Sequence, residues 1–295
     1  MKKVLIALFF FIALQISVCA KELKFIQFSD THLSSEGKDY RGRKVGAAAE
    51  YLREAVKQIN KRNDIDFVVF TGDNIDTANR TDLKLFLQLV NKLNKPYYVV
   101  IGNHEVFRHQ HFGKKEFMRT VWFYHPPMLF KGPSYVFKAN KDIVFIVVDG
   151  ANEMMPSPSG HFKKETLDWL DKKLEKYKNK KVIIAQHFPL IPPTKKYSHD
   201  TVDVDKYFTV LNGHDNVIAI ISGHFHTDKF IYKKGIYHLS APAFVSPPHE
   251  YKIITVTYEP KYLFAKPSEF EIKQELVPMG QANEEDSFVI EQTGN

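Results

Sequence analysis

Five short polar clusters each follow an apolar run, and together they hold the donor atoms that a pair of metal ions requires. They are Asp30-Thr31-His32, Gly72-Asp73-Asn74-Ile75-Asp76, Gly102-Asn103-His104-Glu105, Gln186-His187-Phe188-Pro189 and Gly223-His224-Phe225-His226. Oxygen and imidazole donors mixed without sulfur suit hydrolytic ions such as Mn, Fe or Zn. Asp30 and His32 stand two apart, so on extended backbone both side chains leave one face, and His224 with His226 repeats that spacing. Asp73 follows Gly72, and glycine permits a sharp turn with close approach. A carboxylate there can bridge two cations held ~3.5–4 Å apart. Asn103 offers a neutral amide oxygen and His187 a further imidazole. Singly, each residue also suits a turn, a cap or a hydrogen-bonded core histidine. As an ordered set they point to metal-assisted hydrolysis.

The elements that must position these clusters are legible from periodicity. Leu23 to Phe28 alternates briefly and ends at Asp30, as a strand feeding a loop would. Arg43 to Lys61 carries a helical apolar face, Asp66 to Thr71 reads as a buried strand, and Thr81 to Leu93 is again helical. Tyr97 to Ile101 is the next strand and runs into Gly102-Asn103-His104. This β-α-β-α-β opening implies neighbouring parallel strands, and in open α/β sheets ligands gather beyond the carboxyl ends of strands. Strands are expected near Ser134 to Lys138 and Ile143 to Val148, then a helix from about Lys163 to Tyr177. Strands Val182 to Ala185 and Val217 to Ser222 deliver His187 and His224, and Phe270 to Val277 adds an edge strand. A mixed α/β sandwich, two sheets between helices, follows.

With 295 residues, 44% hydrophobic, and no internal repeat, the chain can bury one large core. Because the clusters are spread along it, residues 21–279 are expected to fold as one domain, with 280–295 a loose polar tail. Residues 1–20 read as an export signal: Lys2 and Lys3, an apolar run from Val4 to Leu14, then Val18-Cys19-Ala20. The apolar run is shorter than the ~20 residues of a membrane span. Cleavage would leave an exported, periplasmic or extracellular protein without a span; an uncleaved signal or a lipidated Cys19 would anchor it. Cys19 is the only cysteine, which excludes an intrachain disulfide. The formal charge of +7 suits anionic substrates or an anionic membrane surface. It is too diffuse for a nucleic-acid partner.

The ordered series D-x-H, G-D, G-N-H-E, H-x-P and G-H-x-H resembles the calcineurin-like metallophosphoesterase superfamily, over about Lys24 to Tyr258. That resemblance implies a four-layer α-β-β-α sandwich with two mixed β-sheets. It also implies that Asp30, His32, Asp73 and His226 hold one metal, and that Asp73, Asn103, His187 and His224 hold the second. Two divalent or trivalent ions would activate water for attack on a phosphoester. His104 matches the family's substrate-facing histidine and would serve as general acid; its plainer role is to support Asn103. Asp76 and Glu105 are expected to orient ligands. The purple acid phosphatase branch has a tyrosine where Asp76 stands, which disfavours it.

The nearest likeness is to the cyclic nucleotide phosphodiesterase branch, through Ser29-Asp30-Thr31-His32-Leu33 and the stretch from Gly160 to Pro189. The expected partner is a small phosphorylated substrate: a cyclic nucleotide or related diester, or else a phosphomonoester of external nucleotides or phospholipid headgroups. Arg108 and His109, next to the Asn103-His104 turn, are candidates for substrate contact. The other histidines, His199 among them, are given structural roles unless folding brings them to the cleft. A scaffold on the same fold should have lost ligands, and a nuclease should show a basic groove.

Overall fold

The computed structural model describes residues 20–195, 197–259 and 270–279. The export-signal residues before Ala20 and the expected tail, 280–295, lie outside them. Eleven strands and five α-helices are described. In chain order they are β1 (Lys21–Phe28), α1 (Ala48–Lys61), β2 (Phe67–Phe70), α2 (Arg80–Val90), β3 (Tyr97–Val99), α3 (Lys114–Tyr124), β4 (Tyr135–Lys138) and β5 (Ile143–Val147). There follow α4 (Lys164–Lys176), β6 (Lys181–Ala185), α5 (Val204–Asn212), β7 (Val217–Ser222), β8 (Lys229–Lys233), β9 (Ile236–Ser240), β10 (Glu250–Tyr258) and β11 (Phe270–Pro278).

Two mixed sheets result, a five-stranded one in the order β11-β10-β1-β2-β3 and a six-stranded one in the order β4-β5-β6-β7-β9-β8. β1, β2 and β3 run parallel, as do β5, β6 and β7. The crossovers through α1, α2, α4 and α5 allow this, whereas β10 and β11 return antiparallel. β1 shows little alternation because it is covered on both faces: Phe25, Ile26 and Phe28 are all buried. Aromatic rings join the sheets across the middle layer, Phe25 meeting Phe145 at 5.1 Å and Tyr98 stacking on Phe137 at 3.4 Å. The α-β-β-α sandwich with two mixed sheets is thus the observed architecture.

Helix α1 starts at Ala48, later than Arg43, because residues 40–43 form a tight turn and Val45–Ala47 a single 3-10 turn. Asn79 caps α2, its side chain accepting the Asp82 N–H at 2.8 Å. The periodicity did not announce α3 or α5. Both take their order from packing, α3 on Phe117, Met118 and Val121, and α5 on Tyr207 and Leu211. Among the described residues no helix is long and apolar enough to cross a membrane.

Candidate metal centre

Every polar cluster lies just past the carboxyl end of a strand: Asp30 after β1, Asp73 after β2, Asn103 after β3, His187 after β6 and His224 after β7. The parallel runs therefore bring the clusters to one edge of the sandwich, where the two sheets meet. Backbone hydrogen bonds lock the loops together. Asp30 N–H donates to Gly72 C=O at 3.0 Å, His32 N–H to Asp73 C=O at 2.9 Å, and Gly223 N–H to His187 C=O at 3.0 Å. Across the sheets, the His224 N–H donates to Asp30 Oδ2 at 3.1 Å. Asp30, His32, Asp73, His224 and His226 all have positive φ, between 41° and 74°. Non-glycine residues in this region carry strain that the surrounding structure must hold, a feature of functional sites. Gly72, with φ of +99°, lets the chain turn beside His187; a Cβ there would stand 2.6 Å from Nδ1 of that ring.

Three groups of donors result. Asp30, His32 and His226 form one, Asp73, His187 and His224 a second, and His32, Asp76 and His104 a third. In the first, His226 Nε2 is 3.2 Å from Asp30 Oδ1 and 3.3 Å from His32 Nε2. In the second, His187 Nε2 is 3.2 Å from Asp73 Oδ2 and 3.2 Å from His224 Nδ1. Asp73 Oδ2 also stands 3.8 Å from His32 Nε2, so one carboxylate oxygen faces both groups.

These donors fit a pair of ions. Two atoms each about 2.1 Å from one tetrahedral ion stand roughly 3.4 Å apart, which matches the spacings found. Asn103 Oδ1 is buried with no hydrogen-bond partner among the described residues, although buried amide oxygens are normally satisfied. The His187 Nδ1–H bonds to Thr71 C=O at 2.9 Å, which turns Nε2 toward Asp73. The oxygen and imidazole donors suit Mn, Fe or Zn and do not select among them.

The charges are set by burial and by one another. Burial pushes the Asp73 and Asp30 carboxyls up, but the imidazoles outweigh it, His187 with His104 at Asp73 and His226 with His187 at Asp30. Both carboxyls sit below the usual carboxylate range. Burial lowers His32 to about 4, against Asp76, and His224 to about 3, with His187 adding repulsion. His187 goes the other way: burial lowers it, but Asp73 outweighs that and raises it to about 9. Burial also opposes the upward shift of His104, which Asp73 and the Asp76 carbonyl produce.

His104 stands at the rim, its side chain 29% exposed, with Nε2 4.0 Å from Asp73 Oδ2. Its Nδ1–H bonds to the Asp76 carbonyl at 2.5 Å, leaving Nε2 on the side of the cluster. Glu105 is fully buried and accepts N–H bonds from Gly102, Asp73, Asn74 and Ile75, which ties the β2 and β3 loops together. Asp76 Oδ1 lies 3.2 Å from His32 Nδ1.

Arg108 and His109 are not drawn into these groups. Both are exposed; the Arg108 guanidinium meets Met154 Sδ at 3.7 Å and the His109 ring packs against Phe107. Conversely, the His199 ring stands 5.2 Å from that of His224. Ser29 Oγ donates to Asp30 Oδ2 at 2.5 Å, and the Tyr40 hydroxyl donates to Asp76 Oδ1 at 2.9 Å. Sequence spacing carried no signal for His199 or Tyr40, because each reaches the centre from a loop outside the ligand pattern.

Comparison with known proteins agrees with this geometry. The family of calcineurin-like phosphoesterases matches residues 23–228. A protein of Arcobacter nitrofigilis named probable glycerophosphodiester phosphodiesterase GpdQ is 28% identical over 210 residues, 68% of this chain and 71% of its own. The Haemophilus influenzae 3',5'-cyclic adenosine monophosphate phosphodiesterase CpdA is 24% identical, over 75% of this chain and 76% of its own. Among solved structures, a dimetal phosphatase of Danio rerio is similar in fold, with a TM-score of 0.64 and 18% identity over 80% of this chain and 95% of that one. The chain belongs to the calcineurin-like phosphoesterase family and is a metal-dependent phosphoric ester hydrolase.

Proposed function

We propose that this chain is an exported two-metal phosphodiesterase acting on small phosphodiesters, the class that takes in 3',5'-cyclic nucleotides and glycerophosphodiesters. The observation that carries the two-metal reading is the position of Asp73 Oδ2, 3.2 Å from His187 Nε2 and 3.8 Å from His32 Nε2. Asp30, His32, His226 and Asp73 would hold one ion, and Asp73, Asn103, His187 and His224 the other. Bound there, the pair supplies Lewis acidity toward phosphoryl oxygens and lowers the pKa of water toward neutrality.

The protein's own groups do the rest. His104 holds a proton at Nε2 and gives it to the departing oxygen, a general-acid role. The Asp76 carbonyl fixes which nitrogen of that ring faces the cluster. Glu105 keeps the Asp73 and Asn103 loops in register, and Asp76 orients His32. The names of the relatives support diesters as the substrate class. Lys2, Lys3 and the apolar run after them support export.

A substrate panel on the purified protein tests this, with Mn, Fe and Zn each supplied to chelator-treated samples. Cyclic nucleotide and glycerophosphodiester turnover is expected with at least one metal. Turnover of monoesters alone reverses the substrate reading, and no turnover with any metal revives the scaffold. Fractionation of expressing cells against a cytoplasmic marker tests export; recovery with that marker removes it.

A further inference from the structure

We infer that the tight turn Tyr40–Arg43 is a positioning element of the metal centre, acting through Asp76 on His32 and His104 together. The inference rests on the two-metal reading above and adds residues that lie outside its ligand set.

The turn is built for the purpose. Tyr40 N–H donates to Arg43 C=O at 3.2 Å and Arg43 N–H to Tyr40 C=O at 2.9 Å. The two central residues both have positive φ, Arg41 at 47° and Gly42 at 80°. That pairing is the tight two-residue loop that sets its flanking residues side by side. A Cβ on Gly42 would meet nothing within 4 Å among the described residues, so glycine is there for its backbone and not for space. The Arg43 guanidinium sits over the Tyr40 ring, 5.3 Å from its centroid, and Nη1 donates to the phenol oxygen at 2.9 Å. The exit of the turn is anchored too: Lys44 N–H donates to Val245 C=O, and Val245 N–H to Asp30 C=O.

The direction of the hydrogen-bond chain is fixed by chemistry. A guanidinium can only donate, so the phenol oxygen accepts from Arg43 and its single proton goes to Asp76 Oδ1, 2.9 Å away. Asp76 then acts at two atoms. Its carboxylate faces His32 Nδ1 at 3.2 Å, an electrostatic contact not aligned as a regular hydrogen bond. Its main-chain carbonyl accepts the His104 Nδ1–H. The two rings stand edge to face, 4.6 Å apart at 88°. One residue thereby orients a candidate ligand and the candidate general acid, and the pair of exposed Tyr40 and half-buried Arg43 holds that residue from outside. Groups that orient a ligand from behind typically change metal affinity by about 10–100-fold when removed. Tyr40 stands one step further out.

The test compares full-length wild type, Tyr40→Phe, Arg43→Gln and Arg43→Lys. Free Mn is counted by electron paramagnetic resonance during titration of chelator-treated protein. Wild type is expected to bind two Mn ions. Tyr40→Phe is expected to weaken one of them about 10-fold and leave the other unchanged. Arg43→Gln should weaken the same ion by about 3-fold, and Arg43→Lys should recover most of the loss. In turnover, Tyr40→Phe should lower kcat for diesters with poor leaving groups while leaving KM near wild type.

Thermal melts of the metal-free variants should match wild type, since the turn lies at the surface. Unchanged affinity for both ions in Tyr40→Phe and Arg43→Gln overturns the inference and leaves the two-metal reading standing. Lowered metal-free melting with no selective loss of one ion also overturns it, because the turn would then be merely structural. Failure of the wild type to bind a second ion removes the two-metal reading and this inference with it.

Discussion

The Glu105 carboxylate accepts the main-chain N–H of Asp73 at 2.8 Å, linking the β3 loop to the loop that carries the candidate bridging ligand. The same carboxylate takes the N–H groups of Gly102, Asn74 and Ile75. Burial and the nearby Asp73 charge push its pKa up to about 7, against the pull of His187 and of these amides. Glu105→Ala would leave those amides without acceptors in a buried place. An unsatisfied buried donor costs ~1–3 kcal/mol, and partial relaxation limits the sum, so a loss of about 3 kcal/mol is expected. Urea unfolding of metal-free protein measures it. A loss below about 1 kcal/mol would show that water replaces the carboxylate and that the loops hold themselves.

Asp73 lies against His187 in one group and faces His32 in the other. Asp73→Asn removes the charge and keeps the shape, so its effect reports the charge alone. Metal content after dialysis is expected to fall by about 100-fold in affinity, a step larger than removal of a supporting group. Turnover should fall with it. Retention of both ions by the variant would place the bridge elsewhere.

For His104→Ala, metal content should be unchanged, because the proposed ligand set does not include this ring; loss of an ion would assign one to the His32, Asp76 and His104 group instead. General acids typically contribute about 10²–10⁴ in rate. The loss should approach that range for diesters with poor leaving groups and shrink for activated aryl diesters, whose leaving oxygen needs no proton. Equal losses on both substrates would return His104 to the plainer role of supporting Asn103.

His187 couples pH to stability and to metal binding with opposite signs. Burial lowers its pKa, but Asp73 outweighs burial and raises it from 6.5 to about 9 in the metal-free site. A raised pKa in the fold stabilises fully below the unfolded value and loses that contribution as pH climbs through the folded one. The His187 contribution to the stability of metal-free protein should therefore be lost between pH 6.5 and 9. Ligation needs the neutral ring, so metal affinity should rise across that window, by about tenfold per pH unit at most. Denaturation of chelator-treated protein at stepped pH, beside Mn titrations, gives both slopes; slopes of one sign would falsify the assignment.

The parts of the candidate centre legible in the sequence are those where strand and donor residue are adjacent in the chain. Asp30 follows β1 and His187 follows β6, so apolar runs ending in polar clusters were enough to find them. The parallel pairing of β1, β2 and β3 follows from the crossovers, and the antiparallel return of β10 beside β1 does not, because no local pattern states which strand it meets. Tyr40 reaches Asp76 and His199 reaches His224 only through tertiary folding of loops. Glu105 was expected to orient ligands, but nothing in its spacing announced that it gathers amides from two loops. Arg108, four residues after His104 in sequence, lies outside the three donor groups: it is exposed and contacts Met154.

An ion pair between a buried lysine and a partly exposed aspartate gives an asymmetric prediction. Lys252 on β10 is fully buried and pairs with Asp228, just past His226, while also donating to Gln274 Oε1 at 2.8 Å. Burial pushes the Lys252 amine down to about 8, against the support of Asp228. Asp228 keeps 33% of its side chain exposed and can turn to water if its partner is lost. Lys252 cannot. Removing one partner of a fully buried pair costs ~3–5 kcal/mol. Asp228→Ala should approach that cost, and Lys252→Met should cost about 1–2 kcal/mol, since methionine fills the space and the exposed carboxylate rehydrates. The pH response separates them further. A lysine whose folded pKa is depressed below the unfolded value of 10.5 binds fewer protons when folded, so this group's contribution to stability rises with pH through that window. The rise should be steeper in Asp228→Ala, where the amine has lost its counter-charge, and absent in Lys252→Met. Urea unfolding of both variants at pH 7 and pH 9 measures this, and equal costs at both pH values would place the pair's importance in packing and not in charge.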